Sequence, residues 1–265
     1  MVEIKDYQRC ELSTWCPACG NFAIAQAVKK ALAALGKAPH ETVLVSGVGC
    51  FAKLPYWVRA NGFVGLHGRS LPVAQGVKLA NPELTVLAFG GDGDGYGEGG
   101  NHFMHACRRN LNITYIVHNN ELFGLTTGQY SPTSRRGYKS KSSPLGSTEN
   151  PVNPLALAIS AGATFVARGY SYDVQKLTEM IIAAVNHHGF AFIDVLLPCV
   201  SFGEDYFKEK IYYLDEEYDF TDRHRALAKA WEKEKLPLGV FYKKEENCKK
   251  EENYKKEERY KKEER

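Results

Sequence analysis

Apolar positions along the chain follow two rhythms. Short apolar runs at Thr42-Val-Leu-Val-Ser46, Thr85-Val-Leu-Ala-Phe89, Ile113-Thr-Tyr-Ile-Val117, Ala163-Thr-Phe-Val-Ala167 and Ala191-Phe-Ile-Asp-Val-Leu-Leu197 predict strands buried on both faces. Between them the spacing is helical over residues 21–35, ending near Gly36, then over 72–79, about 101–109 and 154–161. Asp173 is placed to cap a further helix running to His187. This alternation predicts an α/β fold, a doubly wound and mostly parallel sheet with helices on both faces. Such sheets bind ligands outside the carboxyl ends of their strands. Here those ends read Gly47-Val-Gly-Cys50, Gly91-Asp-Gly-Asp94, His118-Asn-Asn120 and Pro198-Cys199, so the candidate chemistry falls on one edge.

Residues 1–202 read as one domain with an N-terminal Cys-x-x-Cys segment. Residues 203–241 are polar and aromatic, with one amphipathic helix around 222–234, and read as a C-terminal docking extension. Residues 242–265 form a Lys/Glu-rich hexapeptide repeat tail, expected to be a frayed helix or disordered. The stretch 126–151 is too long for an idle connection and suits a lid or a partner contact. The formal net charge is +3, and the tail carries eight Lys, two Arg and eight Glu, a net +2. No basic face follows, which argues against a nucleic-acid partner. The start Met1-Val-Glu-Ile-Lys-Asp6 lacks a signal-peptide pattern, and no apolar run is long enough to cross a bilayer, so a cytoplasmic location is expected.

The chemistry begins at Gly90-Gly-Asp-Gly-Asp-Gly95. Two successive strands end in hard oxygen ligands, Asp92 and Asn120, beside glycine backbone. Carboxylate and amide oxygens suit Mg²⁺, and glycine lets main-chain N–H groups approach a diphosphate. The spacing suggests thiamine diphosphate. Gly95-Tyr-Gly-Glu-Gly-Gly100 also fits a dinucleotide fingerprint, with Glu121 beyond it. Its glycines begin several residues past the strand, however, and it leaves Asp92 facing a pyrophosphate without a cation. Cys16 and Cys19 alone fit half a zinc site, a redox couple or coincidence. Cys50 and Cys199 end strands on the same edge, so the four together fit a [4Fe–4S] cluster or a structural zinc. Cys10, Cys107 and Cys248 read as ordinary thiols, and His102 and His105 as structural. Lys53 follows Cys50 closely and offers a cation to a carboxylate substrate; the alternative is a solvated surface lysine. His67, between Leu66 and Gly68, fits a phosphate donor or a turn histidine.

With these residues assembled, the chain resembles the β subunits of the 2-oxoacid:ferredoxin oxidoreductases. The segments that carry the resemblance are Trp15-Cys-Pro-Ala-Cys-Gly-Asn21, Ser46-Gly-Val-Gly-Cys50, Gly65-Leu-His-Gly-Arg-Ser-Leu-Pro-Val-Ala74 and Lys78-Leu-Ala-Asn-Pro82. They continue through Gly90–Gly95, His118-Asn-Asn-Glu-Leu-Phe-Gly-Leu-Thr126, Gly128-Gln129 and Ser131-Pro-Thr133, so that the likeness spans about residues 10–241. Its form is nearest the 2-oxoglutarate or broad 2-oxoacid branch. Ala18 departs from the glycine usual between the two cysteines, with little effect expected.

The resemblance implies Mg²⁺ held by Asp92, Asn120 and the Leu122 carbonyl. It implies thiamine diphosphate contacts from Val48, Gly49, Cys50 and Phe51, from His67, Gly93 and Asp94, and from Gly124, Leu125, Thr126, Thr127, Gly128 and Gln129. It implies a [4Fe–4S] cluster on Cys16, Cys19, Cys50 and Cys199, with Lys53 and Leu125 facing the 2-oxoacid. The implied reaction is coenzyme A-dependent oxidative decarboxylation, 2-oxoglutarate favoured over pyruvate, with electrons passed to ferredoxin. An obligate α subunit is expected to supply the pyrimidine-binding half and its glutamate, because one domain of this size cannot hold both halves. The alternatives are a non-oxidative thiamine-dependent decarboxylase or carboligase subunit, and a non-enzymatic zinc-binding module.

Overall fold

The computed structural model describes residues 1–11, 13–232 and 234–245. The strands in chain order are β1 (Thr42–Ser46), β2 (Asn61–Val64), β3 (Thr85–Gly91), β4 (Ile113–Asn119), β5 (Leu122–Phe123), β6 (Gln129–Tyr130), β7 (Phe165–Tyr170), β8 (Phe190–Leu196), β9 (Ile211–Tyr213) and β10 (Leu236–Lys243). The helices are α1 (Gly20–Ala34), α2 (Leu54–Trp57), α3 (Ser70–Ala80), α4 (Gly100–Arg109), α5 (Pro154–Ala161), α6 (Val174–Val185) and α7 (Arg223–Ala230). Eight strands form one sheet in the order β2-β1-β3-β4-β8-β7-β10-β9, while β5 and β6 pair as a separate antiparallel ribbon. From β2 to β7 every pairing is parallel; β10 runs antiparallel to β7 and carries β9 beside it.

The continuous apolar runs are explained by what covers each face. Leu44, Leu87, Phe89, Ile116 and Ile193 pack with the buried residues of α1 and α6. The alternating positions Val45, Ala88, Tyr115, Val117 and Phe192 pack with α3, α4, α5 and α7 on the other face. This is the doubly wound, mostly parallel sheet that the alternation implies. The Asp173 carboxylate accepts the Lys176 N–H at 3.1 Å, the cap its position implies, and the Asn153 amide oxygen caps α5 in the same way, accepting the Ala156 N–H at 3.1 Å.

The departures lie at the sheet edges. Strand β2 is exposed along its whole length and has no apolar run to announce it. Strand β7 begins at Phe165 and reaches Tyr170, later than the run at 163–167 implies. Helix α7 ends at Ala230, short of the expected 234. Residues 203–241, read from sequence as a docked extension with one helix, also contribute β9 and most of β10. That strand holds Pro237 and Gly239 and shifts register between Val240 and Tyr242, which hides it from pattern reading. It runs on through Tyr242 and Lys243, the first residues assigned to the tail; the repeat from 246 onward lies outside the described residues.

Phe103 is fully buried on α4, with its ring 4.8 Å from Phe192, 5.5 Å from Tyr96 and 5.9 Å from Tyr115. Phe103→Ala is expected to cost about 3–5 kcal/mol through lost burial and a residual cavity. A lowered denaturation midpoint by circular dichroism checks this.

Candidate active site

The winding reverses around β1, because the chain goes from β1 to β2 on one side and returns to β3 on the other. A reversal of this kind opens a crevice at the carboxyl ends of the strands. There the structure has a cleft of about 560 Å³, counting its open mouth, within the range of small-molecule sites. The turn after β1 contributes Val48, Gly49, Cys50 and Phe51 to its wall. Past β3 come Asp92, Gly93 and Asp94, and past β4 come Asn120, Leu122, Gly124, Leu125 and Thr126; His67 closes one side. Lys53, Thr127, Gly128 and Gln129 do not line the cleft. Lys53 Nζ instead donates to the Thr14 carbonyl at 3.1 Å. Gln129 Nε2 donates to the Thr126 carbonyl at 2.6 Å, bracing the loop that carries Leu125.

Asp92 is 2% exposed, and burial pushes its carboxyl up to about 6 against the opposing pull of the Ser131 and Thr133 hydroxyls. Both hydroxyls donate to Oδ2, Thr133 at 2.7 Å. They come from the 126–151 stretch, so this loop grips the carboxylate at the floor of the cleft. Asp94 Oδ1 accepts the N–H groups of Val48 at 2.9 Å and Gly68 at 2.8 Å. Burial raises the Asp94 carboxyl, while these N–H groups and then His67 oppose the rise. Residues 93–98 form a π-helical turn before α4 rather than the tight strand-to-helix turn of a dinucleotide fingerprint.

His118 stands out in the sequence only as part of a motif. Burial pushes its imidazole down to about 3, so the ring is neutral, and Nδ1 lies 2.6 Å from Asn21 Oδ1. With Nδ1 donating there, Nε2 is left as an acceptor. Among the described residues, His118 Nε2, His67 Nδ1 and Asp94 Oδ2 are buried without hydrogen-bond partners. Three orphaned polar atoms on residues that line one cleft, with glycine at 91 and 93, fit a polar ligand bound against the backbone. Asn119, Ser131, Thr133 and Asp194 also belong to the neighbourhood of the site, although the sequence does not mark them as site residues. Asp194, a lone carboxylate inside an apolar strand, is the signal that could have found them.

Burial raises the thiols of Cys19 and Cys50, and the charges of Cys16, Cys19, Cys50 and Cys199 act on one another, so the four lie in one neighbourhood. Trp15 Nε1 donates to the Cys50 carbonyl at 2.7 Å, tying the Cys-x-x-Cys segment to the β1 turn. The Ser201 hydroxyl donates to Cys16 Sγ at 3.2 Å. Ala18 sits at φ +61, where glycine is free and alanine costs about 1–2 kcal/mol, and its carbonyl accepts the Tyr172 hydroxyl at 2.9 Å. Among the described residues no three His, Cys, Asp or Glu side chains stand close enough to hold a single metal ion. A zinc ion needs thiolates about 2.3 Å away, whereas each thiolate of a cubane cluster meets its own iron, which allows wider spacing.

Residues 42–195 match the thiamine pyrophosphate enzyme, C-terminal TPP binding domain. Residues 199–259 match the C-terminal family of the pyruvate ferredoxin oxidoreductase beta chain. The protein is 46% identical over 253 residues to the 2-oxoacid:ferredoxin oxidoreductase subunit beta of Saccharolobus solfataricus, across 89% of this chain and 83% of that protein. The chain belongs to the 2-oxoacid:ferredoxin oxidoreductase β subunits. A second relative of the family, the 2-oxoglutarate synthase subunit KorB of Archaeoglobus fulgidus, is 38% identical over 251 residues, 93% of this chain and 92% of that protein. The solved 2-oxoglutarate:ferredoxin oxidoreductase of Magnetococcus marinus, with 2-oxoglutarate, coenzyme A and succinyl-CoA bound, matches with a TM-score of 0.94 at 37% identity. That match covers 98% of this chain and 91% of that one. This β subunit is therefore a thiamine diphosphate-binding chain of an oxidoreductase that works with a partner subunit. Among its described residues, no helix is long and apolar enough to cross a membrane.

Gly68 stands at φ +70, and an added Cβ would lie 2.5 Å from the Glu98 backbone. Gly68→Ala should displace the N–H that holds Asp94 and weaken thiamine diphosphate binding to the assembled enzyme by about tenfold or more, the loss of roughly one charge-assisted hydrogen bond. Calorimetric titration reads this directly.

Proposed function

We propose that this chain carries the diphosphate half of an active site that oxidatively decarboxylates 2-oxoglutarate, with coenzyme A taking the acyl group and a [4Fe–4S] cluster passing electrons to ferredoxin. The observation that carries the reading is Asp92, a buried carboxylate at the floor of a glycine-lined cleft beside four neighbouring cysteines. The names of the KorB relative and of the Magnetococcus marinus enzyme, both of which specify 2-oxoglutarate, support the substrate.

Thiamine diphosphate, when bound, supplies the electron sink that lets CO₂ leave a 2-oxoacid. The chain's own residues position and tune. Asp92, the Asn120 amide oxygen and the Leu122 carbonyl offer three hard oxygen donors suited to Mg²⁺, which leaves other positions for phosphate oxygens and water. The His67 imidazole and those N–H groups of the turns after β1 and β3 that Asp94 does not already engage would meet the anionic diphosphate. Leu125, 51% exposed at the cleft mouth, presents an apolar wall to the substrate. Lys53 meets the substrate carboxylate by exchanging the Thr14 carbonyl for it, a move within reach of a flexible lysine stem. Cys16, Cys19, Cys50 and Cys199 hold the cluster on the same strand edge, giving electrons a short exit. The α subunit supplies the pyrimidine-binding half and the glutamate that activates it.

The test is an anaerobic assay of the complex with its α subunit, supplied with 2-oxoglutarate or pyruvate, coenzyme A and ferredoxin. Asp92→Ala should abolish turnover; full activity in that variant overturns the proposal. Cys199→Ala should keep thiamine diphosphate binding while losing the visible absorbance of thiolate-ligated iron and the reduction of ferredoxin.

A further inference from the structure

Strand β8 is buried from end to end, yet it carries a carboxylate at its centre, Asp194, with no exposed surface. Its Oδ2 accepts Arg168 Nε of β7 at 3.0 Å. Its Oδ1 accepts two further donors, the Tyr96 hydroxyl at 2.9 Å and Asn119 Nδ2 at 3.0 Å. A buried ion pair adds little net stability relative to well-packed apolar residues, so what this one holds in place matters more than its energy.

The two donors on Oδ1 come from different segments. Tyr96 lies in the π-helical turn that follows Asp92 and Asp94 beyond β3, and Asn119 is the last residue of β4, directly before Asn120. Fixing Asn119 Nδ2 on Asp194 also fixes the other end of that amide. Asn119 Oδ1 accepts the Glu121 N–H at 3.3 Å and lies 3.0 Å from Thr133 Oγ1. Thr133 Oγ1 donates to Asp92 Oδ2 at 2.7 Å. A continuous polar chain therefore runs from Arg168 through Asp194, Asn119 and Thr133 to Asp92, every member less than a tenth exposed. The hydroxyl of Thr133 has one proton and two acceptors, so it can turn from Asp92 to Asn119 when a cation claims the carboxylate.

We infer that Asp194 is a positioning residue for the magnesium site: it locks the turn after β3, through Tyr96, against the end of β4, through Asn119, so that Asp92 and Asn120 face one ion. The inference rests on the reading of Asp92 and Asn120 as magnesium ligands and assigns the group that aligns them. Groups that orient metal ligands from behind typically change metal affinity 10–100-fold when removed, without touching the metal.

The experiment uses the complex with the α subunit and titrates thiamine diphosphate calorimetrically over a series of Mg²⁺ concentrations, with turnover followed in parallel. Asp194→Asn should raise the Mg²⁺ concentration needed for half-maximal cofactor binding by about 10–100-fold, while KM for the 2-oxoacid at saturating Mg²⁺ stays at its wild-type value. Because this variant strands Arg168, Thr133→Val reads the same chain with the ion pair intact; it should shift the Mg²⁺ requirement in the same direction, and Thr133→Ser should restore it. Asp92→Asn separates the two claims. If Asp92→Asn leaves the Mg²⁺ requirement unchanged, the magnesium reading and the inference fall together. If Asp92→Asn raises the requirement while Asp194→Asn and Thr133→Val match wild type, or lose only thermal stability, the inference alone is overturned.

Discussion

Taking the Asp92 carboxylate out of water is the constraint to which the rest of the site answers. An isolated buried carboxylate would cost several kcal/mol, so it must be hydrogen-bonded, paired or protonated. Here two hydroxyls from the 126–151 stretch reach it, which explains why a segment with little regular structure is folded tightly against the strand ends. Those hydroxyls compensate only in part, since burial still lifts the carboxyl to about 6. A divalent cation, as proposed, would offset the remainder. Asp94 meets the same constraint differently: two backbone N–H groups satisfy one oxygen, and the other is buried without a hydrogen-bond partner.

Parallel strands make this arrangement possible. Because β1, β3, β4 and β8 run the same way, their carboxyl ends form one rim, and residues far apart in sequence meet there without long excursions of the chain. The rim holds two kinds of chemistry side by side, hard oxygen donors after β3 and β4 and soft sulfur donors after β1 and β8. Trp15 and the His118–Asn21 bond stitch the segment bearing Cys16 and Cys19 to both neighbourhoods. The spacing between the two is thus set by rigid elements, as the proposed electron transfer over a short path would require.

Much of this was legible in the sequence because it is local. Asp92 and Asn120 stand out as candidate oxygen ligands at strand ends, the five apolar runs mark the central strands, and Asp173 marks a helix start. What escaped is non-local or lacks an apolar signature. The grip of Ser131 and Thr133 on Asp92 spans about forty residues of chain and leaves no periodic trace. Strand β2 is an exposed edge, and β10 joins the sheet through backbone pairing despite Pro237 and Gly239. Asp194 was visible as a lone carboxylate in Ala191-Phe-Ile-Asp-Val-Leu-Leu197, but its partners Tyr96, Asn119 and Arg168 come from three other segments. Lys53 shows the opposite limit: its place near Cys50 follows from sequence, while its hold on the Thr14 carbonyl does not.

Everything proposed for this site depends on Asp92 and its neighbours binding thiamine diphosphate through a divalent cation. The most direct measurement is a calorimetric titration of thiamine diphosphate into the assembled αβ enzyme, with Mg²⁺ present and after its removal by a chelator. Saturable binding with Mg²⁺, collapse of the heat signal on chelation and recovery when Mg²⁺ is restored are expected. Equal affinity with and without the cation would contradict it.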